Sequence, residues 1–210
     1  MRIDFDPEST RPQDVYRLLT SIVVPRPIAW VSTLSHEGVP NLAPHSFYTV
    51  ASSAPPIVQF TSVGHKDTLR NALATGEFVV NLAGEEQFAA VNDTGTNFPP
   101  EVGEFEAVGV EPEPSAVVKP PRVAGAPAAL ECVLHSTVGF GDSTVVFGRV
   151  VHIAVDEETM VDGLPDIRRL RPLSRLGRNE WGTVGELLDQ SRISYEQWQD
   201  GRRTGRERSV

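Results

Sequence analysis

The sequence predicts a mainly β chain whose antiparallel strands close, or nearly close, into a barrel, with short helices inserted between them. Three observations carry this. Strand-like runs rich in β-branched and aromatic residues outnumber helical stretches. Two pairs of runs are joined by turn signals too short for anything but a hairpin. No strand–helix–strand alternation recurs that would build a doubly wound parallel sheet.

The elements follow in order. Pro12 and the stretch Gln13 to Leu19 predict an entry helix with Val15, Leu18 and Leu19 on one face. The runs PIAWVSTL and VPNLAPHSFY flank SHEG and read as a hairpin, with Asn41 and Pro44 making the second strand irregular, as suits an edge or a bulge. PPIVQFTSV is a buried strand, because Ile57, Val58, Phe60 and Val63 form an apolar run behind a proline pair. Leu69, Ala72 and Leu73 then recur at helical spacing, Gly76 stops the helix, and EFVVNL resumes strand character. Glu85 to Val91 predicts a further helix, and NDTGTNFPPEVGE has the composition of a long covering loop. VEPEPSAVVKPP is too proline-rich for regular structure and reads as a connector. AALECVLHSTV and TVVFGRVVHIAV pair around GFGDS. Residues 1–190 are expected to form one domain, and 191–210, which lose apolar periodicity and gather arginines, a mobile tail.

Composition narrows the function. The 210 residues are 40% hydrophobic, enough for one sizeable core, and the net charge of −9 argues against broad binding to nucleic acid or an anionic membrane. Cys132 is the single cysteine, so no internal disulfide forms, and no Cys/His cluster has zinc-site spacing, so no metal is expected. The N-terminus MRIDFDPEST carries acids where a signal peptide carries basic and apolar residues, and no apolar run approaches a membrane span, which makes a cytoplasmic location the default. Walker A, dinucleotide-binding G-x-G-x-x-G and G-x-S-x-G motifs are absent.

Two stretches stand out. Lys66, Asp67 and Thr68 fall at the predicted start of a helix, where free N–H groups and the dipole favour an anion such as a phosphate; plain capping by Asp67 with a solvated Lys66 is the competing reading. In VPRPIAWVSTLSHEGVPNLAPHSFYTVASSAPP, Arg26 sits between stiffening prolines, Trp30 and Phe47-Tyr48 offer flat surfaces, and Ser32, Thr33, Ser46, Ser52 and Ser53 offer short polar groups. Such residues suit the lining of a site for a planar ring with a polar chain, or a core with serine-rich turns.

The succession VVPRPIAWVST, GVPNLAPHSFY, ASSAPP, HKDTLRN, TGEFVVNL and later RPLSRLGRNEW resembles the flavin reductase-like, FMN-binding split-barrel family. The resemblance covers Tyr16 to Leu82 most strongly, Gly177 to Leu188 more weakly, and none of the tail. It implies a six-stranded antiparallel split barrel, a homodimer, and FMN as cofactor. On the matching positions, Trp30, Val31, Ser32 and Thr33, with Pro44, His45, Ser46, Phe47 and Tyr48, would line the ring and ribityl chain. Ser52, Ser53, Lys66 and Thr68 would approach the phosphate, Asp67 would fix the loop, and the segment containing Asn179 and Trp181 would pack near the flavin. Arg178 and Glu180 depart from the family, where relatives often carry a second glycine and an aromatic.

The activity so implied is an NAD(P)H-dependent flavin reductase in which hydride reaches N5 of the flavin and backbone N–H groups steady the charge near N1 and O2. No side chain declares itself catalytic; Arg26 and His45 are the first to mutate. Reduced flavin would go to a separate oxygenase. A flavoredoxin-like electron carrier with permanent FMN and a protein partner, or a flavin-binding module without redox activity, are the alternatives. Arg17, Arg26, Arg168, Arg169, Arg171, Arg175 and Arg178 cannot be arranged around a nucleotide from sequence, so NADH and NADPH are not separated.

Overall fold

The computed structural model describes residues 1–203. In chain order the elements are α1 (Pro12–Ile22), β1 (Arg26–Pro27), β2 (Ala29–Leu34), β3 (Pro40–His45), β4 (Tyr48–Ser53), β5 (Pro56–Val63), α2 (Asp67–Thr75), β6 (Glu77–Leu82), α3 (Phe88–Asp93) and α4 (Glu104–Val108). Then come β7 (Pro112–Glu113), β8 (Arg122–Val123), β9 (Ala128–Phe140), β10 (Ser143–Val155), β11 (Met160–Val161), β12 (Leu164–Pro165), α5 (Ile167–Leu170), β13 (Ser174–Arg175), β14 (Trp181–Gly182) and α6 (Tyr195–Arg203). The expected helix from Glu85 is a 3₁₀ turn, Glu85–Gln87, that runs into α3. Part of the proposed tail lies outside the described residues; within them α6 is helical, with the Tyr195 and Trp198 rings stacked 5.9 Å apart.

The main sheet has seven antiparallel strands in the order β3-β2-β6-β9-β10-β5-β4, where the sequence implied six. The extra strand is β4. VPNLAPHSFY reads as one strand through Tyr48, but the chain breaks at Ser46-Phe47 and Tyr48 opens a new strand paired to β5. Its Thr49, Val50 and Ala51 are exposed, so it lacks the buried alternation that marks a strand in sequence.

The connection between β3 and β4 decides the architecture. These strands are the two edges of the sheet, yet three peptide steps of about 3.8 Å each separate His45 from Tyr48. The sheet must therefore curl until its edges meet at that end. Register shifts in the β9–β10 ladder, between Phe147 and Gly148 and between Val150 and His152, supply bends of the kind that curl a sheet. No ladder joins β3 to β4. The barrel is split along that seam, and Thr61 of β5 instead donates its N–H to the Phe47 carbonyl at 2.9 Å.

Curling gives the sheet an inside. Ala29, Val31, Val58, Phe60, Phe78, Val80, Cys132 and Val146 meet there, and α2 caps them with Leu69 and Ala72. Phe60 and Phe78 pack edge to face at 5.4 Å, and Gly148 lies so close that a Cβ on it would stand 2.2 Å from Phe78 Cζ. Side chains of β2 alternate between this interior and an outer layer of Trp30, Leu42, Val91, Phe105 and Val123 beneath α3 and α4. Burial on both faces explains why Ala29, Trp30 and Val31 are apolar in succession rather than alternating with polar residues.

One buried carboxylate outside the barrel interior is paired. Glu131, fully buried on β9, accepts from the N–H groups of Ala116 (2.8 Å) and Val117 (2.7 Å) and from Arg122 Nε (2.8 Å). The proline-rich connector, expected to lack regular structure, instead pairs Pro112–Glu113 with β8, and it anchors the N–H groups of Ala116 and Val117 on this carboxylate and that of Lys119 on Glu77. No helix among the described residues is long and apolar enough to cross a membrane.

Candidate functional site

A cleft of about 470 Å³ lies beside the seam of the barrel. Its walls follow from the strand period and the turn into α2. Asn41, Ala43 and His45 alternate onto one face of β3; Thr61 and Val63 come from the end of β5; Gly64 to Thr68 carry the chain into α2; and Thr94 to Phe98 cover it. The loop from Asn92 to Glu104 thus covers a cleft, as its composition led one to expect.

The start of α2 is the most telling feature. Lys66 is the residue before the helix, and no side chain caps it. Asp67, already inside the first turn, pairs with Arg70 at 2.7 Å instead of folding back on the N–H groups. Capping by Asp67 is not what this junction does, and the first-turn N–H groups have no side-chain acceptor. Thr68 is buried beside them, and its Oγ1 accepts from Asn41 Nδ2 at 3.2 Å, which leaves the hydroxyl proton to donate elsewhere. Lys66 Nζ donates to Asn97 Oδ1 at 2.7 Å, tying the exposed amine to the covering loop.

Two titratable groups sit deeper. His45 is 9% exposed; Nδ1 lies 3.3 Å from the Thr61 carbonyl, and Nε2 is buried with no partner. Nδ1 is the donor in that arrangement, so Nε2 is left as an acceptor. Burial holds the ring neutral, pushing its pKa down to about 4; the Thr61 carbonyl opposes this and the Lys66 charge adds to it. Glu104 Oε2 accepts from Leu42 N at 2.9 Å, and burial, reinforced by nearby Asp67, raises its carboxyl above the ordinary range against the pull of the Leu42 N–H.

A second cleft, about 870 Å³, adjoins the first and shares Tyr16 and Ser46 with it. Arg26 is its keystone. The guanidinium donates to the carbonyl of Thr20, to that of Val23 at 3.0 Å and to that of Leu176 at 2.9 Å, and Nε reaches Ser46 Oγ at 3.4 Å. One buried cation thereby joins the end of α1, the segment before Gly177 and the connection between β3 and β4. Gly177 allows this closeness, since a Cβ there would meet Ser21 Oγ at 2.7 Å.

The structure gathers some of the predicted residues and disperses others. Pro44, His45, Ser46, Phe47, Lys66, Asp67 and Thr68 line the first cleft; Arg26 and Asn179 line the second. Trp181 lines a smaller cavity of about 220 Å³ that also touches Pro44 and Ser46, with Arg175 over its ring at 4.9 Å. Trp30, Val31, Ser32 and Thr33 are 0% exposed, and their side chains lie in the core instead. Trp30 Nε1 donates to Thr94 Oγ1 at 2.9 Å, Ser32 Oγ donates to the Pro121 carbonyl, and Thr33 Oγ1 accepts from Asn71 Nδ2 at 3.1 Å. Tyr48 packs against the barrel interior, its hydroxyl pushed up to about 12 by burial and then by Cys132. Ser52 and Ser53 stand at the far end of β4, with Ser53 exposed and neither in the cleft.

The sequence missed Asn41, Ala43, Asn97 and Glu104. Counting back from His45 by twos would have found the first two. Nothing local marks Asn97 or Glu104, whose partners lie 31 and 62 positions away. Among the described residues no group of three or more His, Cys, Asp or Glu could hold a metal ion.

Comparison with known proteins gives the family. The sequence model of the flavin reductase like domain matches residues 21–170. An uncharacterized protein of Aquifex aeolicus is 40% identical over 181 residues, covering 83% of this chain and 92% of the relative. The crystal structure of nitrilotriacetate monooxygenase component B from Bacillus cereus superposes with a TM-score of 0.86 at 34% identity, covering 90% of this chain and 99% of the other. The 2-nitrobenzoate 2-nitroreductase NbaA of Pseudomonas fluorescens also gives 0.86, at 30% identity, with 92% and 98% covered.

Proposed function

Because the chain belongs to the flavin reductase like family, we propose that it is an NAD(P)H-dependent FMN reductase, with the flavin phosphate received at the start of α2. The observation that carries this reading is the uncapped helix start flanked by the Lys66 amine and the buried Thr68 hydroxyl in one cleft. When bound, FMN supplies the redox chemistry, accepting a hydride at N5 and passing the electrons on. The chain's own work is to bind and orient. Lys66 brings charge, the first-turn N–H groups and Thr68 bring directed donors, and Asn41 fixes the Thr68 hydroxyl. Glu104 lines the same cleft and turns one carboxyl oxygen to the Leu42 N–H. His45 Nε2 offers an acceptor to a hydroxyl or N–H of the ligand.

The adjoining second cleft favours a small-molecule electron donor over a protein partner, and so the reductase over the electron carrier or a non-redox module. Reduced flavin would be handed to an oxygenase, as the name of the Bacillus cereus component suggests for that protein. A homodimer belongs to the same reading, since the edge strand β4 presents exposed Thr49, Val50 and Ala51. So does a cytoplasmic setting, where nicotinamide nucleotides are supplied.

The double substitution Lys66→Ala with Thr68→Ala tests it. FMN affinity, followed by flavin fluorescence, is expected to fall by 2 to 4 kcal/mol, roughly 30- to 1000-fold, while riboflavin, which lacks the phosphate, changes little. A folded double variant that binds FMN as tightly as the parent would remove the phosphate from this junction.

A further inference from the structure

Against a net charge of −9, the second cleft is locally cationic. Arg17, Arg26, Arg175 and Arg178 line it, with Asp14 the only acid among the described residues. Four of the seven arginines that sequence leaves unplaced are thus brought to one wall, next to the proposed flavin site on which the present inference rests. Arg171, by contrast, is taken up elsewhere by Glu85 and Glu86.

The four are not equivalent. Arg26 spends its donors on three backbone carbonyls and Ser46. Arg175 donates to the carbonyls of Glu180 (3.0 Å) and Arg178 (2.9 Å) while lying over Trp181. Arg17 and Arg178 keep theirs. Arg17 approaches Asp14 at 3.7 Å, with 68% of its side chain exposed. Arg178 is exposed and makes no side-chain hydrogen bond or ion pair among the described residues. It also holds φ at +52°, a left-handed backbone that a bulky residue seldom adopts without a reason.

We infer that this cleft receives the electron donor and that Arg17 and Arg178 select NADPH over NADH by pairing with the phosphate on its adenosine ribose. A guanidinium fork matches a phosphate bidentately, and the extra phosphate is the one charged group that distinguishes the two donors. A donor lacking it presents a ribose hydroxyl, which calls for a free carboxylate. Asp14 does not serve, because Arg11 holds it at 2.6 Å. The exchange served is NADPH plus FMN plus a proton giving NADP⁺ plus FMNH₂, two electrons leaving the nicotinamide with the hydride.

The FMN-loaded protein is assayed with NADPH and with NADH, and adenosine 2′,5′-bisphosphate is compared with ADP as a binding probe. The expected result is a kcat/KM for NADPH roughly tenfold or more above that for NADH, with tighter binding of the bisphosphate. In Arg17→Ala with Arg178→Ala, the ratio of the two donors falls about tenfold, through KM for NADPH, and FMN affinity stays as in the parent. Equal use of both donors by the parent, or an unaltered ratio in the variant, overturns the selectivity while leaving the reductase standing. Retained FMN with neither nicotinamide oxidised overturns the reductase reading, and the selectivity with it.

Discussion

Glu131→Gln is expected to lower the stability of the fold by roughly 3 to 5 kcal/mol, the largest effect of any single substitution considered, with little change in flavin affinity. The carboxylate is fully buried and gathers two backbone N–H groups and the Arg122 fork. Burial alone would push its pKa up; the Ala116 and Val117 N–H groups and Arg122 outweigh that and hold it below the ordinary range. An amide of the same shape turns an N–H toward donors it cannot accept from and leaves the Arg122 charge without its buried partner. Glu113 meets the same arginine at 3.2 Å, but its side chain is 49% exposed, so Glu113→Gln should change little. Urea unfolding of the two variants at neutral pH makes the comparison. Equal midpoints would mean that the connector is held by something other than Glu131.

The second large effect is a dependence of stability on pH. His45 titrates near 4 in the folded chain against an ordinary 6.5, because burial disfavours the charged ring. Between those values the unfolded chain binds the proton and the folded chain does not, so stability rises with pH through that window. The contribution is fully present above about 6.5 and is lost as the pH falls through 4. It amounts to about 2 kcal/mol by pH 5 and roughly 3 kcal/mol over the whole window. Urea unfolding of the parent and of His45→Gln at pH 7 and pH 5 isolates it. The parent should lose about 2 kcal/mol more than the variant, and parallel losses would show that the ring is charged in the folded chain.

Much of the fold was legible because its signals are local. Gly76 ends α2 in the left-handed conformation that only glycine adopts freely, GFGDS turns between β9 and β10, and Ile57, Val58 and Phe60 of β5 are buried as read, whereas Val63, expected among them, is exposed at the strand's end beside the cleft. The seventh strand was hidden because β4 is an edge whose side chains face out, and edge strands carry no buried alternation.

The site divides in the same way. Lys66 and Thr68 were readable because a helix start announces itself over four residues. Trp30, Val31, Ser32 and Thr33 carry the composition of a lining, yet β2 is covered on both faces, and burial on both faces is set by residues far away in sequence. Asn97 and Glu104 reach the cleft through contacts that no local pattern encodes. Neighbours in sequence suffice to bring Lys66 and Thr68 to the cleft, whereas the face that a β2 side chain takes depends on the curl of the sheet.

The proposed role of the cleft beside the α2 start is to hold FMN for reduction by a nicotinamide. Its most direct test is the absorbance spectrum of the protein after mixing with FMN and desalting, read again without oxygen after addition of NADPH. The account predicts flavin absorbance that survives desalting and bleaches with the nicotinamide. Flavin that is retained but stays yellow with NADPH and NADH alike, or an FMN titration of the undesalted protein that shows no binding, would contradict it.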